Sequence, residues 1–252
     1  MMPQHKVYIE PFGGAGSVLI QKKRVWSEIY NDRWDGVVNV FRVLRDPVMA
    51  SELERRIRLT PFSRTEFNES QLNYFSTSDQ IEKARIIIYR SFFGFGSGSC
   101  NPSYSTGFRG NGNNNNTTPA EDCKNYPDHI QLYTERLKGV MIENSSAVEV
   151  MNRNDRPDAL HFLDPPYLKK TRTTNGDVYG FEMTEQDHVE LSMVCKSMKG
   201  MVMICGYSST LYDELFSDWH SQERTAMADG AKKRTEKVWA NFPLGQTRLF
   251  EE

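Results

Sequence analysis

The sequence predicts an α/β fold with a helical insertion and an antiparallel tail, on three observations. Short apolar runs at Val7 to Ile9, Val25 to Tyr30, Ala159 to Leu163 and Met201 to Cys205 have strand length and alternate with helical patterns, as in a sheet covered by helices. Between the second and third runs lies a long stretch with charged and apolar residues interleaved at helical spacing. Near the end, Trp219 to Arg224 and Lys237 to Phe242 read as a closing hairpin.

In chain order, Val7, Tyr8 and Ile9 form the first strand, followed by Glu10, Pro11, Phe12, Gly13, Gly14, Ala15 and Gly16, with Val18, Leu19 and Ile20 opening a helix. Glycines there allow a tight turn and close backbone approach to a ligand. The turn has neither the Gly-x-Gly-x-x-Gly order of a dinucleotide site nor a P-loop ending, so a cofactor without phosphates fits it better. The second strand ends in Asn31 and Asp32, an acid placed to hold ribose hydroxyls. Val48 to Leu59, Arg64 to Phe75 and Gln80 to Phe93 read as helices of an insertion spanning 47–126, which divides a catalytic domain made of 1–46 and 127–252. Its 94–126 part is rich in Gly, Ser and Asn, including Asn113 to Asn116, and is read either as a loop ordering on a partner or as a surface insertion without order of its own. Downstream, Thr184 to Ser197 and Ser209 to Phe216 read as helices flanking the Met201 strand, and Trp239 is assigned to the core.

The apolar run Ala159 to Leu163 delivers Asp164, Pro165, Pro166 and Tyr167 to a strand's carboxyl end, where open α/β sheets bind ligands. The two prolines fix φ, hold Asp164 extended and remove two N–H donors, leaving a rigid cluster of acceptors. A carboxylate and a proline carbonyl aimed at one point can hold both hydrogens of an exocyclic amine, and the Tyr167 ring can stack on the heterocycle bearing it. An isolated Asp-Pro is ordinarily just a strand-ending turn. The glycine-rich turn at Glu10 to Gly16 favours the chemical reading.

These two motifs resemble the Dam-type adenine-N6 DNA methyltransferases, which carry a Pro-Phe-x-Gly-x-Gly loop and an Asp-Pro-Pro-Tyr tetrad. The resemblance extends to Tyr30, Asn31 and Asp32, the stretches Phe41 to Asp46 and Ser91 to Gly96, and Gly206 with Tyr207. Arg234, Thr235, Glu236, Trp239 and Asn241 are similar to the terminal hairpin of phage-type members, and the motif order is that of class alpha. The resemblance implies a Rossmann-like S-adenosylmethionine-dependent methyltransferase sheet with a helical target-recognition insertion. It further implies methyl transfer to a flipped-out adenine of double-stranded DNA, with Asp164, Pro165, Pro166 and Tyr167 at the target amine. Glu10, Pro11, Phe12, Gly13, Gly14, Gly16, Asp32 and Ser146 are the corresponding cofactor residues. Two departures accompany it: the family's opening Gly-Gly-Lys segment is expected to be absent, since Pro3 stands seven residues before Glu10, and Ser145 and Ser146 stand where the family places an acid. A serine hydrogen-bonds but is not a charged acceptor.

The formal net charge of −2 over 252 residues argues against indiscriminate nucleic-acid binding, so DNA contact is expected from local clusters. Lys169, Lys170 and Arg172 follow the tetrad directly and are the first candidates for phosphate contact. Lys232, Lys233, Arg234 and Lys237 form a later cluster, Arg109, Tyr104 and Phe108 are candidate contacts in the insertion, and Tyr207 is a candidate wall of the target pocket. His5, His129, His161, His188 and His220 have no paired metal spacing, so no metal is expected. Cys100, Cys123, Cys195 and Cys205 form no Cys-x-x-Cys pair and read as reduced thiols. With no signal segment or membrane-spanning run, a cytoplasmic location is the expectation. The tetrad binds a planar amine without naming it, so cytosine N4, an RNA base, or an inactive relic that binds DNA stand as alternatives.

Overall fold

A computed structural model of the chain describes residues 2–96, 98–110, 118–172, 179–228 and 232–245, with the backbone alone at 225–228 and 232–234. The described strands are β1 (Val7–Glu10), β2 (Ser27–Asn31), β3 (Val140–Glu143), β4 (Ala159–Leu163), β5 (Met201–Tyr207), β6 (His220–Ala228) and β7 (Lys232–Ala240), ordered β3-β2-β1-β4-β5-β7-β6 in one sheet. β1 pairs in parallel with β2 and β4, and β4 with β5, whereas β7 runs antiparallel to both β5 and β6. This is the mixed α/β sheet that the sequence predicts, with the expected antiparallel tail. β1 and β4 are buried at every position, which is why their sequences read as continuous apolar runs instead of alternating.

The chain divides into two compact units. One comprises residues 1–33, 143–175 and 181–252; the other comprises 34–142 with 176–180. The packing boundaries of the helical unit lie at 33/34 and 142/143. The flanking helices account for these limits: α2 (Asp35–Arg45) and α7 (Ile130–Leu137) bury their apolar faces within the helical unit. In the sheet unit, α1 (Ser17–Gln21) follows β1, α8 (Ala147–Asn154) follows β3, and α9 (Glu185–Ser197) and α10 (Thr210–Leu215) flank β5. Leu163, Leu168, Leu191, Val202, Ile204, Tyr212, Phe216 and Trp239 form its main core cluster, so Trp239 is a core residue.

The helical unit is built from α2, α3 (Pro47–Leu59), α4 (Arg64–Ser76), α5 (Gln80–Phe93), α6 (Pro119–Asn125) and α7. Asp46 and Asp79 begin α3 and α5 by accepting the first free amides, and Pro47 sits where no donor is needed. α5 is the central helix, buried from Ala84 to Arg90 and at Phe93. Residues 94–96 and 98–110 are tied to it. Gly94 bridges to Phe108, the Arg109 amide donates to the Phe93 carbonyl at 2.6 Å, and Phe108 packs against Phe62, Phe67 and Phe93. Arg90, 3 % exposed, donates to the Ser99 and Tyr104 carbonyls and to Ser70 Oγ. The segment before Asn111 is thus held by one buried guanidinium and one aromatic cluster, while Asn113 to Asn116 lie outside the described residues.

Candidate active site

Sheet order places the two sequence motifs side by side. β1 leads to β2 on one side and β4 to β5 on the other, so chain progression reverses between the neighbouring strands β1 and β4. Loops leaving the carboxyl ends of such a pair diverge and open a crevice. The glycine turn leaves β1 there, and the tetrad leaves β4.

The turn is fixed by its own backbone and by β2. Gly16 closes it with φ 64° and donates to the Gly13 carbonyl at 2.7 Å, and Gly14 has φ 49°. A Cβ on Gly13 would stand 2.1 Å from the Tyr30 ring, whereas one on Gly14 would meet nothing within 4 Å. Gly13 is therefore required for packing, and Gly14 opens its backbone to the crevice. Tyr30 donates to the Gly14 carbonyl at 2.6 Å, and the Gly14 amide donates to Asp32 Oδ2 at 2.9 Å. Asn31, fully buried, donates to the Pro11 carbonyl and pairs with both the amide and carbonyl of Ser145, joining the loops after β1, β2 and β3. Phe12 packs on the main core cluster, and Ser146 precedes α8 without capping it through its side chain.

At the end of β4, Pro165 is buried and Asp164 exposed. Asp164 is nevertheless walled by protein. The desolvation raises its pKa, the Tyr167 hydroxyl opposes this by donating to it, and the charge of Glu236 adds to the rise. Asp164 thus keeps accessible surface while enough protein surrounds it to penalise its charge. The Tyr167 ring meets Tyr207 edge-on, with centroids 4.7 Å apart at 74°. Tyr167, Leu168, Thr171, Gly206, Tyr207 and Tyr212 line a small cavity beside it. Glu236 sits opposite Tyr207 in the β5–β7 register.

Glu10 closes the floor. It is 3 % exposed and accepts from the Tyr8 hydroxyl at 2.7 Å and the Leu19 amide at 3.0 Å. Burial pushes its pKa up to about 7; these two bonds hold it down in part, and the Asp164 charge raises it. Burial also lifts the Cys205 thiol, with Asp164, Glu236 and Glu10 reinforcing the effect. Glu10, Asp164 and Glu236 thus act on one another electrostatically, with Lys22 offsetting part of the charge at Glu10.

The expected phosphate-binding residues separate. Lys169 and Lys170 are exposed on a 3-10 turn, Lys170 paired with Glu185 at 2.8 Å. Arg172 instead points inward, against expectation: its side chain is 7 % exposed and bound to Glu182 and to the Tyr167 carbonyl. Its guanidinium fork is occupied by Glu182. Arg109 is exposed in the helical unit, and Lys237 pairs with Asp213 and Glu223; the side chains of Lys232, Lys233 and Arg234 lie outside the described residues. Sequence reasoning missed the pinning role of Asn31 and the inward turn of Arg172. A polar residue ending a buried strand was the available signal for the first; nothing local marked the second.

Among the described residues no group of His, Cys, Asp and Glu is arranged to hold a metal, and no helix is long and apolar enough to cross a membrane. No curated protein matches the chain in sequence. The model of the D12 class N6 adenine-specific DNA methyltransferases matches residues 1–229, which carry both motifs and the strands that bring them together. That match favours adenine N6 over cytosine N4 or an RNA base as the amine, and the chain belongs to the D12 class of N6 adenine-specific DNA methyltransferases.

Proposed function

We propose that this DNA adenine methyltransferase takes its methyl group from S-adenosylmethionine, held by the turn after β1, and delivers it to an adenine N6 held by Asp164, Pro165 and Tyr167. The observation that carries this reading is the placement of the glycine turn and the tetrad at the carboxyl ends of the adjacent parallel strands β1 and β4. S-adenosylmethionine, when bound, supplies an electrophilic methyl on a positively charged sulfonium. Glu10, Asp32 and Asp164 give the crevice a negative charge suited to such a cation, and Gly14 leaves room for close backbone approach. Asp32 is the residue to hold ribose hydroxyls, with Pro11, Phe12, Gly13, Gly16 and Ser146 completing the lining.

The target amine is unreachable within a stacked duplex, so the adenine is flipped out. Asp164 and the Pro165 carbonyl accept its two amine hydrogens, turning the nitrogen lone pair out of ring conjugation toward the methyl. Asp164, which keeps accessible surface, takes up the proton that nitrogen loses. Pro166 keeps these acceptors rigid, so the residues contribute chiefly by alignment. The adenine must displace the Tyr167 hydroxyl from Asp164, after which the Tyr167 ring serves as its stacking face, walled by Tyr207. Lys169 and Lys170 meet backbone phosphates. The 47–126 insertion reads the target sequence, with Arg109 a candidate contact.

Asp164→Ala tests the assignment. Nucleoside mass spectrometry of unmethylated DNA incubated with S-adenosylmethionine should show N6-methyladenine formation reduced at least about a hundredfold, with cofactor affinity within about twofold of the parent. Undiminished product would remove Asp164 from the mechanism.

A further inference from the structure

The segment after the tetrad carries an arrangement that methyl transfer as described does not use. Arg172 Nε donates to the Tyr167 carbonyl at 2.6 Å, while Nη1 and Nη2 donate to Glu182 Oε1 and Oε2 at 2.9 and 2.5 Å. The two side chains are only 7 % and 13 % exposed. We propose that Arg172 is a positioning residue for the target base, clamping the Tyr167 backbone to Glu182 and so setting the angle of the ring against which the adenine lies. This rests on the assignment of Tyr167 to the target base.

The tetrad's own chemistry creates the need. Pro165 and Pro166 have no N–H, so two consecutive residues beside Asp164 cannot anchor themselves by donating hydrogen bonds. Stiffness of the prolines fixes the chain direction, but its position relative to the rest of the unit must come through carbonyls and the following residues. Leu168 is buried in the core, its carbonyl receives the Thr171 amide and hydroxyl, and the Tyr167 carbonyl receives Arg172. These contacts make the 167–172 segment a short rigid bracket behind the ring.

Arginine suits this role because its planar fork grips a carboxylate along one edge while Nε points elsewhere, fixing the angle between the two partners. Glu182 stands two residues before Thr184, the N-cap of α9, whose start is fixed by a capping box between Thr184 and Asp187. From the same helix, His188 is hydrogen-bonded through Nδ1 to the Tyr212 hydroxyl at 2.9 Å, and Tyr212 lines the cavity with Tyr167 and Tyr207. α9 therefore supports that aromatic cavity from two directions, through Tyr212 and through the clamp. A surface ion pair would hold nothing in place; this one is enclosed and has a third partner in the tetrad.

The decisive measurement is single-turnover methyl transfer by the full chain at saturating unmethylated DNA and S-adenosylmethionine. Cofactor affinity and melting temperature are measured alongside, for Arg172→Lys and Tyr167→Ala. Lysine keeps the charge but lacks the fork. The clamp predicts at least about a tenfold slower step in Arg172→Lys, with cofactor affinity within about twofold of the parent, and a loss in Tyr167→Ala as well. An undiminished rate in Arg172→Lys with a loss in Tyr167→Ala overturns the clamp and leaves the tyrosine assignment standing. Undiminished rates in both overturn the tyrosine assignment and the clamp with it. Rate, cofactor affinity and melting temperature falling together in Arg172→Lys would show a merely structural ion pair and overturn the positioning role. If Arg172→Lys does not fold, Glu182→Gln, which keeps the side chain's shape, is judged by the same criteria.

Discussion

Replacing Glu10 with Gln isolates the electrostatic cost of the crevice floor. The Glu10 carboxyl is held near pH 7 by burial, against an ordinary value of 4.5, so the folded protein retains a proton there that the unfolded chain has released. Because the folded value is the higher one, protonated Glu10 is fully tolerated below about pH 4.5, and stability declines as pH rises through 7. The cost of full ionisation is about 3 kcal/mol at most, of which about 2 kcal/mol develops between pH 5.5 and 8.5. Glutamine retains an oxygen to accept from Tyr8 and Leu19 but cannot ionise. Any fixed cost of its amide is independent of pH and cancels when the two conditions are compared. Thermal melts of both proteins at pH 5.5 and 8.5 should therefore show the variant gaining on the parent by on the order of 4 °C at the higher pH. A difference that stays flat across that range would mean that Glu10 does not titrate there, and the argument for an acidic, desolvated floor would fail. The same variant should bind S-adenosylmethionine more weakly than the parent at pH 8.5 and nearly equally at pH 5.5, since only the ionised parent offers the extra negative charge.

The remaining predictions concern packing and DNA. Gly13→Ala drives a methyl into the Tyr30 ring and should cost about 1–3 kcal/mol in chemical denaturation, whereas Gly14→Ala meets no neighbour and is strained only through its positive φ; equal, negligible effects would contradict the packing at Gly13. Arg90→Ala leaves the Ser99 and Tyr104 carbonyls without their donor and should destabilise the helical unit by about 3 kcal/mol, with hydrogen exchange accelerating first at residues 98–106. Uniform exchange across the unit would deny Arg90 its local role. Lys169→Ala with Lys170→Ala should weaken DNA binding and flatten the salt dependence of the affinity by about one counterion per lost phosphate contact, and an unaltered slope would make both lysines surface charge alone.

Much of this protein was legible in its residues. The α/β class, the helices α3, α4, α5 and α9, the strand before the tetrad and the core place of Trp239 follow from apolar period, capping residues and run length, which are local properties of the chain. Glu10 to Gly16 and Asp164 to Tyr167 announced themselves because glycine frees the backbone for a tight turn and proline fixes φ wherever they stand. What local chemistry cannot encode is which distant groups meet. The adjacency of β1 and β4 joins two motifs more than a hundred residues apart and makes one crevice of them. The helical unit includes α2 and α7 because they bury their faces among its helices, a choice of partner invisible in either helix alone. Arg172 shows the distinction most plainly: beside Lys169 and Lys170 it reads as one more surface cation, and only the arrival of Glu182 and the Tyr167 carbonyl turns it inward. Sequence by itself determined the elements and the chemical groups. Tertiary structure decided their company, because burial, pKa and hydrogen-bond partners belong to the space around a side chain and not to its neighbours in the chain.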